Sequence, residues 1–203
     1  MWIKICGMTS AEAVAAALAV QVDALGFVFA DSLRRVTPTQ AAALVLPARS
    51  RAACVAVMRQ PTRALLDEVL EVFRPDLLQT DLADLAGLRL PATLALLPVV
   101  RSALTAPGAL PTRILFEGPV SGSGVLGDWQ VARGLARRTQ LVLAGGLNPL
   151  NVAAAIGAVK PFGVDVSSGV ETAPGLKSPA LIQSFVRSAR RAPAPENASE
   201  ELP

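Results

Sequence analysis

The chain has 203 residues, 52% of them hydrophobic, and 19 basic residues against 16 acidic ones give it a formal net charge of +3. That length holds one well-buried domain, and no uninterrupted apolar run approaches the roughly 20 residues needed to cross a bilayer, so no membrane is expected as a partner. With no histidine, zinc sites built on imidazole are excluded and proton transfer falls to Cys, Asp, Glu, Lys or Arg; scattered basic residues, 4% aromatics and no tyrosine make a poor nucleic-acid surface.

Two cysteines in strand-like segments, with no charged and apolar leader at the start, point to a reducing cytoplasm rather than a disulfide framework. Basic residues all precede Ala192, and the segment after it carries Glu196, Glu200 and Glu201. The body therefore holds a positive surplus able to attract an anionic ligand.

In chain order, Trp2-Ile3-Lys4-Ile5-Cys6 reads as a first strand. Thr9 with Glu12 reads as a capping box for an Ala-rich helix over 11–20. A second strand is expected over 23–29, and Thr37, Pro38 and Gln40 give the cap, first-turn proline and box partner of a helix through Leu46. A third strand spans 51–58, followed by a helix over 61–73 in which Leu65, Val69, Val72 and Phe73 recur at helical spacing. Short strands follow at 77–79 and within 92–100, where Pro91, Pro98 and Pro107 imply short or irregular helices. The sixth, seventh and eighth strands are expected over 113–117, 140–144 and 162–166. Between and after them come helices over 128–138, 148–159 and 178–191, with Asp128, Asn148 and Ser178 as caps.

Eight strands alternating with helices suggest a single α/β domain over residues 1–191, an eight-stranded parallel (β/α)8 TIM barrel, with an open doubly wound sheet as the rival arrangement. Residues 192–203 are polar, acidic and poor in apolar groups, which predicts a disordered tail.

Chemistry in such folds lies at the carboxyl ends of the strands. Cys6 leaves the first strand there, is followed by Gly7, and shares its face with Lys4, a cation that would favour the thiolate. Cys54, in mid-strand, reads as packing. Ala144-Gly145-Gly146-Leu147 and Val166-Ser167-Ser168-Gly169 follow the last two strands, where glycine-rich backbone and helix starts form a phosphate cradle. Ser121-Gly122-Ser123-Gly124 reads as either a closing loop or a linker.

Lys4-Ile5-Cys6-Gly7-Met8-Thr9, Gly26-Phe27-Val28-Phe29, Ser32-Leu33-Arg34-Arg35-Val36, Leu143-Ala144-Gly145-Gly146-Leu147-Asn148-Pro149 and Val164-Asp165-Val166-Ser167-Ser168-Gly169-Val170-Glu171 together resemble the phosphoribosylanthranilate isomerases of tryptophan biosynthesis. The resemblance runs from residue 2 to about 190. It implies a phosphate-binding barrel that carries out an Amadori rearrangement on a small phosphorylated substrate without metal or organic cofactor, as a monomer or homodimer. Cys6 matches the family's general base, Arg34 the residue that holds the anthranilate carboxylate, and Gly145, Gly146, Ser167, Ser168 and Gly169 the phosphate loops.

Two positions depart from the family's pattern. Glu117 stands where the family usually has an aspartate as general acid; it keeps the carboxyl and adds a methylene. Gln79-Thr80-Asp81 stands where many relatives carry a histidine-glycine pair, and Asp81 reads as the start of a helix. Asp165 reads as an ion-pair partner of Lys4. Two further readings stay open on the sequence: a different sugar-phosphate barrel enzyme, which leaves Cys6 and Arg34 unexplained, and a barrel that binds a phosphorylated ligand without turnover.

Overall fold

Strand residues here alternate between two dry surfaces, and that alternation fixes the architecture. The computed structural model describes residues 1–101, 110–118 and 128–192. Its strands are β1 (Trp2–Cys6), β2 (Ala24–Val28), β3 (Ala53–Val57), β4 (Leu77–Asp81), β5 (Ala95–Val100), β6 (Arg113–Phe116), β7 (Gln140–Leu143) and β8 (Gly163–Val166). Each pairs in parallel with the next, and β8 pairs with β1 to close the barrel, setting Lys4 against Asp165. Closure rules out the open doubly wound sheet.

One set of strand side chains points outward to the helices. Ile3, Ile5, Leu25, Phe27, Cys54, Ala56, Leu78, Ile114, Leu141 and Val164 belong to this outer core. Against it pack α1 (Ala11–Ala19), α2 (Pro38–Val45), α3 (Arg63–Glu68), α4 (Trp129–Ala136), α5 (Val152–Val159) and α6 (Pro179–Arg191). Phe27 and Phe29 meet Phe73 in tilted pairs with centroids 5.2 and 5.3 Å apart. Burial of each such ring contributes about 2 to 3 kcal/mol.

The alternate set points inward. Ala24, Val55, Leu77, Leu97, Leu115 and Val142 fill the middle of the barrel. At the amino end Trp2 stacks on Phe162, with the Arg113 guanidinium 4.5 Å from the Phe162 ring. Lys4 and Asp165 form a buried ion pair inside the barrel, Nζ to Oδ1 2.9 Å.

Local chemistry set most boundaries, and it corrects some. Thr37 and Gln40 form the expected capping box, and Asp128 and Ser178 cap their helices. Ser10, not Thr9, caps α1; the Thr9 hydroxyl donates to Gly175 O instead, at 2.8 Å. Asn148 does not start α5. Its side chain accepts from the Leu150 and Asn151 amides in a tight turn, and the helix begins at Val152. The helix expected over 61–73 runs as α3 and then a wider π turn over Val69–Phe73, ended by left-handed Arg74. A short 3-10 turn, Asp84–Gly87, replaces a helix between β4 and β5, as the prolines implied. After β8 the chain makes an unforeseen hairpin, β9 (Glu171–Ala173) and β10 (Leu176–Lys177), turning at Gly175 with φ +83°. The Ser121-Gly122-Ser123-Gly124 loop and the tail after Ala192 lie outside the described residues.

Removing one member of a buried pair strands the other's charge, so Asp165→Leu is expected to cost about 3 to 5 kcal/mol in urea unfolding. The double variant K4M/D165L is expected to regain most of that loss. Equal stability of D165L and wild type would refute the role given to this pair.

Candidate active site

Because inward positions recur every second residue, the strand ends bring their side chains to one mouth. Cys6 ends β1 and Asp81 ends β4, while Arg101, Glu117 and Ser167 directly follow β5, β6 and β8. With Arg34 and Gln79 they line a cavity of about 200 Å³ at the carboxyl end of the barrel. Four of the expected residues, Cys6, Arg34, Glu117 and Ser167, therefore face one space.

Cys6 is nearly buried, at 7% exposure. Gly26 pairs with it across β2, and a Cβ there would sit 2.9 Å from the Cys6 sulfur and 3.1 Å from the Lys4 nitrogen. The bare glycine thus makes the room in which thiol and ammonium lie side by side. Burial opposes the Lys4 charge, but Asp165 and then Cys6 outweigh it and hold its pKa above the usual lysine value. Burial pushes the Cys6 thiol up; Lys4 and Lys177 pull it down and Asp165 pushes it up, with a net rise. Lys4 is where the sequence placed it, but the expected stabilised thiolate is not the resting state, because desolvation outweighs the cation. An ordinary thiol is about 3% ionised at pH 7, and Cys6 is ionised less than that. Cys54 faces the outer core, and burial first of all pushes its thiol up to about 12.

A second cluster flanks the thiol. Arg34 grips Glu171 with two parallel bonds, Nε to Oε1 2.8 Å and Nη2 to Oε2 2.7 Å. Lys177, fully buried, donates to Glu171 Oε1 at 2.6 Å and to Ser167 O and Oγ at 3.0 and 3.2 Å. Burial disfavours both charges. For Glu171 the bonds from Arg34 and Lys177 outweigh it and lower the carboxyl pKa, whereas for Lys177 burial prevails and its pKa falls. The Arg34 fork is thus partly committed, and its Nη1 side is what it offers a ligand. The Ser167 hydroxyl gives its single proton to Cys6 O at 3.1 Å, so it has none left for an anion.

The third cluster crosses from β4 to β6. Arg101 donates to Asp81 Oδ1 from Nη2 at 2.7 Å and to Glu117 Oε1 from Nη1 at 2.5 Å. Arg59 lies 3.5 Å from the other Asp81 oxygen. Asp81 is therefore a strand-end member of the cavity and not the start of a helix, because the β4 alternation carries inward through Leu77, Gln79 and Asp81.

The glycine loops adjoin this mouth without lining the cavity. Gly145 and Gly146 take φ +85° and +65°, which L side chains adopt only with strain. Gly169 presses on the other loop: a Cβ there would stand 1.9 Å from Leu147 O. Glycine at 169 is thus what lets the β7 and β8 loops touch. Ser168 begins a single 3-10 turn, Ser168–Val170.

The family model of N-(5'-phosphoribosyl)anthranilate (PRA) isomerase matches residues 3–188. The chain belongs to this isomerase family.

A member from Mesorhizobium japonicum is 38% identical over 214 residues, covering 94% of this chain and 95% of its own. TrpF from Jonesia denitrificans, a crystal structure, superposes with TM-score 0.78 at 36% identity over 97% of this chain and 100% of that one. A phosphoribosylanthranilate isomerase crystallised with reduced 1-(o-carboxyphenylamino)-1-deoxyribulose 5-phosphate gives TM-score 0.76 at 26% identity, covering 94% and 98%. Membership makes the chain an isomerase of tryptophan biosynthesis with the family's TIM-barrel fold, the (β/α)8 barrel.

Sequence reasoning passed over Arg101, Lys177 and the place of Gln79 in the cavity. The Pro174-Gly175 turn between Thr172 and Leu176 was a usable signal for the hairpin that carries Lys177. Nothing local marked Arg101, whose partners come from two other strands.

Iodoacetamide is expected to modify Cys6 at a rate that climbs with pH and is still climbing at pH 8.5, while Cys54 reacts far more slowly. Peptide mapping of the two thiols checks this, and a Cys6 rate that has levelled by pH 7 would contradict the upward shift.

Proposed function

We infer that this chain converts N-(5-phosphoribosyl)anthranilate to 1-(2-carboxyphenylamino)-1-deoxyribulose 5-phosphate, with Glu117 as general acid and Cys6 as general base. The observation that carries the reading is that a carboxyl and a thiol face one small cavity from β6 and β1, beside an arginine suited to a carboxylate. The relative crystallised with the reduced product supports it.

In this reading Glu117 gives its proton to the furanose ring oxygen as the C1–O bond breaks and the anilino nitrogen forms an iminium. Arg101 stands against the carboxylate that remains. The Cys6 thiolate then takes the C2 proton, and the C–H electrons form the C1=C2 bond of an enol amine and neutralise the iminium. Burial favours the thiol over the thiolate, so the proton moves to a base that holds it well. Protonation at C1 and loss of the C2 hydroxyl proton complete the ketone. No step calls on a metal or organic cofactor.

Arg34 Nη1 suits the anthranilate carboxylate, with Glu171 fixing the guanidinium plane. Gly145, Gly146, Ser168 and Gly169 supply backbone for the phosphate, and Ser167 contributes through its main chain, since its hydroxyl proton is taken. The longer arm of Glu117 is held by Arg101 in the direction of the cavity.

Purified protein is expected to quench the fluorescence of freshly made phosphoribosylanthranilate, with Cys6→Ser and Glu117→Ala each losing at least about 100-fold in turnover. A wild type that binds the substrate yet leaves it unchanged would replace this reading with binding alone. If Cys6 is the base, the residual kcat/KM of Glu117→Gln, in which the acid no longer titrates, rises about tenfold per pH unit and bends above pH 8.5, since the thiol shift is upward. A bend near pH 6 in a pH–rate series would assign the base elsewhere.

A further inference from the structure

Most of the cavity's charged groups are paired with one another, and a neutral one lies among them. Lys4 binds Asp165, Arg34 binds Glu171, and Arg101 binds Asp81 and Glu117. Gln79 lies among them on β4, 6% exposed and part of the cavity wall. Its Oε1 has no hydrogen-bond partner among the described residues.

A buried amide carbonyl without a donor forfeits the hydration it had in the unfolded chain. The position does not need an amide for packing: the residues beside it in register are Val57 and Leu97, both apolar. What the amide adds is an unpaired acceptor in the cavity wall, at a place water does not reach.

A role for this acceptor toward a ligand rests on the isomerase reading above. A phosphoribosylated anthranilate brings two anions, and the arginine and backbone donors serve those. Its anilino N–H already points at the carboxylate ortho to it on the ring. The donors left over are the sugar hydroxyls near the reacting carbons. We propose that Gln79 is a substrate-binding residue whose Oε1 accepts a hydrogen bond from the C2 or C3 hydroxyl of the opened sugar, fixing the chain that carries the C2 proton between Cys6 and Glu117.

The probes are the reduced product, 1-(2-carboxyphenylamino)-1-deoxyribitol 5-phosphate, and its two counterparts lacking the C2 or the C3 hydroxyl. Their affinities are measured by calorimetry on wild type and Gln79→Met, a change that keeps side-chain length and removes the acceptor. Wild type is expected to bind one deoxy compound about three- to tenfold more weakly than the parent, the range of one neutral hydrogen bond. Gln79→Met is expected to bind that pair equally and to melt at the same temperature as wild type or higher, because an orphaned polar atom has been replaced by an apolar one. A purely structural glutamine would instead lower the melting temperature and leave the discrimination intact.

Discrimination that persists in Gln79→Met, or is missing from wild type, overturns the proposal. Failure of wild type to bind the parent compound at all would instead count against the isomerase reading on which it rests.

Discussion

The ion pair between Lys4 and Asp165 sits where the barrel closes on itself, between its first strand and its eighth. Its partners are 161 residues apart in sequence and 2.9 Å apart in space, in the dry interior. A misregister of β8 against β1 by one residue would turn Asp165 toward the helices and leave a buried lysine alone, so the pair penalises wrong closure. The same ammonium lies beside the Cys6 sulfur, so the contact that fixes the seam also sets the electrostatic surroundings of the thiol. Gly26 is the steric condition for both.

The positive surplus of the body can attract an anionic ligand. Within the site, charge is organised by pairing. Its lysines and arginines are matched by carboxylates that they hold in fixed geometry, and what they present to a ligand is direction more than field. Such pairs lose little on binding, because their donors are already oriented by Glu171, Asp81 and Asp165. Arg34 is the clearest instance, with one edge of its guanidinium tied and the other turned outward.

Most of the strand order was legible because each strand is a short apolar run bounded by polar or turn residues, and period alone places such runs. Arg34 and Glu117 were legible only through the family's motifs, since an arginine and a glutamate near strand ends have many ordinary uses, whereas Cys6 also stood out by its strand-end place on the face of Lys4. What the sequence hid were choices between neighbours. Thr9 and Ser10 both cap helices well, and only the hairpin carbonyl at Gly175, contributed from far along the chain, draws Thr9 away. Asn148 carries every local mark of a cap, yet its side chain closes a turn first. Asp81 reads as a helix start in sequence because the 3-10 turn behind it lacks any strong pattern, and its arginine partner lies beyond the next strand.

Trp2, Phe162 and Arg113 stopper the amino end of the barrel, and a layer of leucine and valine lies above them. The barrel is therefore a blind cup. Ligand, water and exchangeable protons share one mouth, and an occupant that fills it cuts the thiol off from the bulk. Under the proposed reaction, a hydrogen lifted from a carbon inside has the same molecule as its nearest destination, and a blind cup favours its return over its escape to solvent.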